Sequence, residues 1–258
     1  MAYRPLILIS NDDGITAPGI QALIAAMQPL GDLLVVAPDS PQSGMGHAIS
    51  IAKPLRYNRQ QLESGIVGYA CNGTPADCVK IATGVLVAPR KPDLVVSGIN
   101  HGPNWSISVF YSGTMSAAIE GAIEGIPSIG FSLCNYSHEA DMRAAADVAA
   151  RVAAQALAQP MPTGMALNVN IPDLPLSDIK GMCITRQAKG RWVEEFDHRS
   201  DPNGRDYFWL TGRYLSQDKG DDTDEWAIHN GYVSICPVSV DITAYHAFPV
   251  LNQWGIVD

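Results

Sequence analysis

Asp12 and Asp13 stand side by side, directly behind the apolar run Leu6-Ile7-Leu8-Ile9 and directly ahead of Gly14. Two adjacent carboxylates at a strand tip repel each other, so one keeps its proton unless a cation neutralises both. Hard divalent cations prefer oxygen ligands of this kind. Three more loops follow predicted strands and are rich in small oxygen-bearing residues: 37–44, 97–104 and Tyr111-Ser112-Gly113-Thr114. Ser43 and Asn100 can add neutral oxygens to the two charged ones, a set that suits one octahedral ion such as magnesium with water in the remaining positions. Two carboxylates balance a divalent charge and leave room for an anionic substrate. Ser112-Gly113-Thr114, opening a helix, offers hydroxyls and backbone N–H groups to a phosphate, and Gly113 lets the backbone come close. The chemistry implied is a metal that activates a water and polarises a phosphoryl group.

Taken singly, each piece has an ordinary use. Asp-Asp-Gly makes turns, Ser112 or Thr114 caps helices, and Asn100 and Asn104 suit left-handed turn positions. What gives them joint meaning is the scaffold. Apolar runs alternate with amphipathic stretches: strands over 6–10, 33–37, 93–97, 128–132 and 166–171, and helices over 18–30, 74–87, 114–124 and 138–158. Residues 48–57 and 66–71 read as two more extended segments joined by the polar stretch 58–65, and 98–113 as a long loop. This order predicts an α/β fold with a mostly parallel sheet and helices on both faces. In such a sheet the loops after the strands converge on one edge. Past about residue 180 the pattern becomes hairpin-like, with Trp192, Phe196, Tyr207, Phe208, Trp209 and Tyr214 in no helical period, then a strand over 232–237. The expectation is a single domain over 1–258, with an α/β core to 180 and a β-rich extension over 181–258.

The 258 residues are 47% hydrophobic and carry a net charge of −9, with no basic run, which argues against a nucleic-acid polymer as partner. No apolar stretch approaches a membrane span, and Met1-Ala2-Tyr3-Arg4-Pro5 lacks the apolar segment and cleavage site expected of a signal peptide. Cys71, Cys78, Cys134, Cys183 and Cys236 are scattered, as in a reducing, cytoplasmic compartment. Gly44-Met45-Gly46 lacks the third glycine and following helix of a dinucleotide fingerprint, there is no Gly-x-Ser-x-Gly elbow, and the six histidines form no metal-spaced cluster.

The ordered motifs resemble the SurE (survival protein E) family of metal-dependent nucleotidases. They are Asn11-Asp12-Asp13-Gly14, Val36-Ala37-Pro38-Asp39 with Ser43-Gly44, Gly73-Thr74-Pro75, Ser97-Gly98-Ile99-Asn100 with Asn104, Tyr111-Ser112-Gly113-Thr114, Asn168-Val169-Asn170-Ile171-Pro172 and Gly231-Tyr232-Val233. The resemblance implies a Rossmann-like core, a C-terminal extension for oligomerisation as a homodimer or homotetramer, and hydrolysis of nucleoside 5′- and 3′-monophosphates, with short polyphosphate as a further substrate. It implies one Mg2+ or Mn2+ per subunit on Asp12, Asp13, Ser43 and Asn100; on chemical grounds the expected acceptor for the proton of the attacking water is Asp12 or Asp13. Substrate-side positions fall on Asn104, Ser112, Gly113 and Thr114. One departure stands out: Asp222-Thr223-Asp224 replaces the family's usual Gly-Thr-Asp. Two rivals remain. A covalent aspartyl-phosphate route finds Asn11 where its nucleophile would be, and a non-catalytic, metal-dependent nucleotide sensor would use the same cradle without hydrolysis.

Overall fold

The computed structural model describes residues 3–256. Leu6–Ser10 forms β1, and all five of its residues are buried. Ile7 and Ile9 pack with one helical layer while Leu8 packs with the other, as strand alternation requires. A strand covered on both faces reads as an unbroken apolar run rather than an alternating one.

Around β1 lie β2 (Asp32–Pro38), β3 (Tyr57–Gln61), β4 (Val67–Cys71), β5 (Leu94–His101), β6 (Ser128–Leu133) and β7 (Met165–Ile171). Beyond residue 180 come β8 (Met182–Ile184), β9 (Gly190–Ser200), β10 (Asp206–Ser216) and β11 (Val233–Ser239). The main sheet has nine strands in the order β3-β4-β2-β1-β5-β6-β7-β11-β8, and β9 and β10 form a separate antiparallel hairpin. From β4 to β7 every neighbour pair is parallel. The chain builds outward from β1 through β2 to β4, then returns to lay β5 on the other side of β1. Strand order therefore reverses between β1 and β5, and the loops after these two strands part to leave a crevice.

Helices α1 (Pro18–Met27) and α4 (Arg143–Ala158) cover one face, and α2 (Pro75–Ile81) and α3 (Gly113–Ile123) the other. Pro18 and Pro75 occupy first-turn positions, where a missing N–H costs nothing. Thr74 caps α2 in a reciprocal box with Asp77.

Three expected elements need correction. The predicted strand over 48–57 is irregular, and the edge strand is instead Tyr57–Gln61, whose polar residues face solvent. The long loop over 98–113 is shorter, because β5 runs on to His101 and a 3-10 turn spans Ser106–Phe110. The helix expected from 138 begins at Arg143. The main sheet also crosses residue 180: β11 lies between β7 and β8, so only β9 and β10 stand apart. Among the described residues no helix is long and apolar enough to cross a membrane.

Candidate active site

The loops after β1, β2 and β5 meet at the crevice. There Asp12, Asp13, Ser43 and Asn100 line one cavity of about 760 Å³ together with Asn104 and Ser112.

Asp12 is buried, and its Oδ1 accepts the Thr114 hydroxyl at 2.5 Å. Burial pushes its pKa up to about 6; Thr114 pulls the other way, and the charge of Asp13 adds to the rise. Asp13 is half-buried and its pKa is also raised by burial, against the pull of the His101 ring and N–H and of the His138 ring. Its Oδ2 is buried with no hydrogen-bond partner among the described residues. Asn100 donates from Nδ2 to the Gly102 carbonyl at 2.8 Å, which fixes the amide and leaves Oδ1 without a donor. Ser43 is exposed on a loop tied at Gln42, whose N–H donates to the Asp12 carbonyl at 2.8 Å. Two costly carboxylates, one idle buried oxygen and two neutral oxygens at one cavity fit a hard divalent cation. Among the described residues no three His, Cys, Asp or Glu side chains are placed so that they could hold a metal ion by themselves.

The expected phosphate cradle divides in two. Ser112 lines the cavity and caps α3, its Oγ accepting the Met115 N–H at 3.0 Å, so its own hydrogen stays available. Thr114 is fully buried and spends its hydroxyl on Asp12. Gly113 packs on the same carboxylate: a Cβ there would lie 2.5 Å from Asp12 Cβ. The first turn of α3 abuts the tip of β1, so these two residues position Asp12 and do not line the cavity. Asn104 sits in a polar net. Its N–H donates to Asn170 Oδ1 at 2.8 Å, its Nδ2 to Ser132 Oγ at 2.9 Å, and its carbonyl accepts Asn168 Nδ2 at 2.7 Å.

A family model described as Survival protein SurE matches residues 7–194. A protein of Cytophaga hutchinsonii named 5′-nucleotidase SurE is 55% identical over 255 residues, 98% of each chain. One of the same name from Flavobacterium psychrophilum is 54% identical over 254 residues, again 98% of each. The crystal structure of the SurE protein from Aquifex aeolicus superposes with a TM-score of 0.84 at 39% identity, covering 96% of this chain and 99% of that one. The chain belongs to the SurE family.

In this SurE chain the sequence motifs acquire places. Asn168 and Asn170, at the end of β7, hold the turn that carries Asn104. Thr74, besides capping α2, donates to the Ala48 carbonyl at 2.7 Å and so anchors the far end of the Ser43 loop. Sequence reasoning missed the outer wall of the cavity, which comes from Tyr136 and from the hairpin residues Trp192, Glu194, Leu210 and Thr211. Of the aromatic residues Trp105, Phe110 and Tyr111 ahead of α3, Tyr111 lines the cavity, while Phe110 and Trp105 are not part of its wall. His101, given no role from sequence, also lines it; Nδ1 donates to the Ser137 carbonyl at 2.8 Å and Nε2 is buried without a partner among the described residues.

Proposed function

We propose that this chain is a divalent-metal-dependent phosphomonoesterase that hydrolyses nucleoside 5′- and 3′-monophosphates, and short polyphosphate, to release phosphate. The observation that carries the reading is the pairing of Asp12 and Asp13 at the crevice, with Asp13 Oδ2 left without a donor among the described residues. Names borne by relatives of the same length point the same way.

Asp12, Asp13, Ser43 and Asn100 would hold one Mg2+ or Mn2+, which when bound supplies Lewis-acid charge and acidifies a water. The rest falls to the chain. Thr114 pins Asp12 Oδ1 and fixes one carboxylate plane. Ser112, already accepting from Met115, has a hydroxyl hydrogen to give a phosphoryl oxygen. Asn104, locked by Asn168, Asn170 and Ser132, keeps its side chain in one orientation at the cavity. The proton of the attacking water passes to Asp12 or Asp13. The hairpin wall, with Trp192 and Leu210, provides apolar surface for the nucleoside.

The same reading has the chain assemble as a homodimer or homotetramer through its hairpin and C-terminal segment, where Phe196, Phe208, Trp209, Tyr245 and Trp254 are exposed. It places the chain in the cytoplasm, in keeping with five free cysteines.

The test is incubation of purified protein with AMP and Mn2+ while inorganic phosphate is followed, with 3′-AMP and tripolyphosphate in parallel. Phosphate release that stops with EDTA and resumes on adding Mn2+ is the expected result. Saturable AMP binding without phosphate release would replace the enzyme by a sensor.

A further inference from the structure

Ser43 is the weakest-held of the four proposed ligands. It is exposed, on an irregular loop, beside Gly44 and Gly46, which both take positive φ. A Cβ at Gly44 would meet nothing within 4 Å, so packing does not fix the loop there. On its far side the Gly46 N–H donates to the Tyr111 carbonyl at 3.3 Å and Thr74 holds the Ala48 carbonyl, and the side chain of the segment that ties it to α3 is His47. Its Nε2 donates to Glu120 Oε2 at 2.8 Å, and the other oxygen of Glu120 accepts Lys80 Nζ at 2.5 Å. The Glu120 side chain is only 2% exposed, whereas His47 and Lys80 are 31% and 42% exposed.

Glu120 lies in α3, the helix whose first turn also holds Asp12 through Thr114. Six residues of helix separate the two contacts, about 9 Å of axial rise. The helix is packed closely on the sheet. At Gly121 a Cβ would lie 2.4 Å from Ser128 Oγ and 2.8 Å from a Val95 methyl, so α3 is seated directly on β5 and β6. One rigid element thus touches the carboxylate end of the site at Thr114 and the Ser43 loop at Glu120.

The geometry points to Glu120, acting through His47, as a positioning residue that sets where Ser43 stands relative to Asp12 and Asp13. The inference rests on the metal-site reading above and adds a residue to it that neither touches substrate nor contributes an oxygen to the ion. Lys80 has a different task. It neutralises the second oxygen of Glu120 from α2 and does not touch the loop, so the two partners of one carboxylate can be separated by experiment.

The experiment uses the full chain with Mn2+ alone as probe, by calorimetry, and amide hydrogen exchange of segment 42–48 in metal-free protein. His47→Ala should weaken Mn2+ binding by about tenfold, at the lower end for residues that orient ligands. It should also speed exchange across the segment, with thermal unfolding nearly unchanged because His47 is partly exposed. His47→Gln, which keeps an N–H donor for Glu120, should restore much of both. Lys80→Met should leave both close to wild type. Mn2+ affinity and exchange unaltered in His47→Ala would overturn the inference, as would an equal loss in Lys80→Met. Were the wild type itself to bind no Mn2+, the metal-site reading would fall, and the exchange result alone would decide whether His47 tethers the loop.

Discussion

Two acidic clusters, one at the cavity and one at the root of the hairpin, are built in opposite ways. At the root of the hairpin, Asp224 is fully buried just inside the short helix α5 (Asp224–His229). Its Oδ2 accepts the Ser106 N–H at 2.7 Å, and its Oδ1 accepts those of Ala188 and Glu225 at 3.0 and 2.8 Å. Nearby, Arg186 bridges Asp218 and Asp222, and holds the Asp218 carboxyl well below the usual carboxylate range. Every acid in that cluster has a donor. At the tip of β1, Asp13 keeps a buried oxygen with none among the described residues. A buried acid with its donors in place is a rivet; one short of donors is stability withheld from the fold and kept for a ligand.

The sharpest way to break this contrast is to neutralise each cluster in turn. Asp12→Asn or Asp13→Asn should lower phosphate release by at least about 100-fold while thermal unfolding stays level or rises, since a desolvated like-charged pair is gone. Near-wild-type turnover by both variants would erase the distinction. Asp224→Asn should do the reverse in kind. The new amide turns an N–H toward a backbone N–H, and an unsatisfied buried donor costs about 1–3 kcal/mol. For a domain of this size that lowers Tm by several degrees, about 2–4 °C per kcal/mol. If Asp224→Asn unfolds where wild type does, the rivet description is wrong.

Glu120 falls between the two and gives a smaller, pH-dependent effect. Burial alone would raise its pKa, but donation from His47 and Lys80 outweighs that and holds it below its ordinary 4.5. A depressed folded-state pKa stabilises the protein above the unfolded value, and the gain disappears as pH falls through the folded one. The Tm gap between wild type and Glu120→Gln should therefore be largest at about pH 7 and shrink below about pH 4.5. A gap constant across that range would mean the charge of Glu120 contributes nothing. The smallest effect is expected from Asp222→Gly, which restores the residue usual in the family. The Arg186–Asp222 pair is exposed, so Tm should move by less than about 2 °C, and a larger drop would show the hairpin root to be more finely tuned than its geometry indicates.

Which of these features the sequence disclosed follows from how local their causes are. Strand β1 was legible because Leu6–Ser10 is buried on both faces and reads as one apolar run. Strand β3 was not: Tyr57–Gln61 is a solvated edge, and its pairing with β4 leaves no hydrophobic signature. Asp12, Asp13, Ser43 and Asn100 could be selected because small oxygen-bearing residues recur after the predicted strands, where such a sheet gathers its loops. Thr114 was assigned to phosphate because a helix start has the right chemistry. Its actual partner, Asp12, is 102 residues away and no local pattern reports it. The outer wall was hidden for the same reason. Where the hairpin stands relative to the cavity depends on contacts such as those of Asp224 with Ser106 and Ala188, which join distant segments.

Strand β1 lies between β2 and β5, and just below the crevice Ser10 pairs with Ser97. The catalytic edge therefore comes into being only when a long stretch of chain has looped back, a slow event compared with winding any of the helices. On dilution from denaturant, circular dichroism should recover ahead of phosphate release, and a population of half-folded chains would contain no half-working ones.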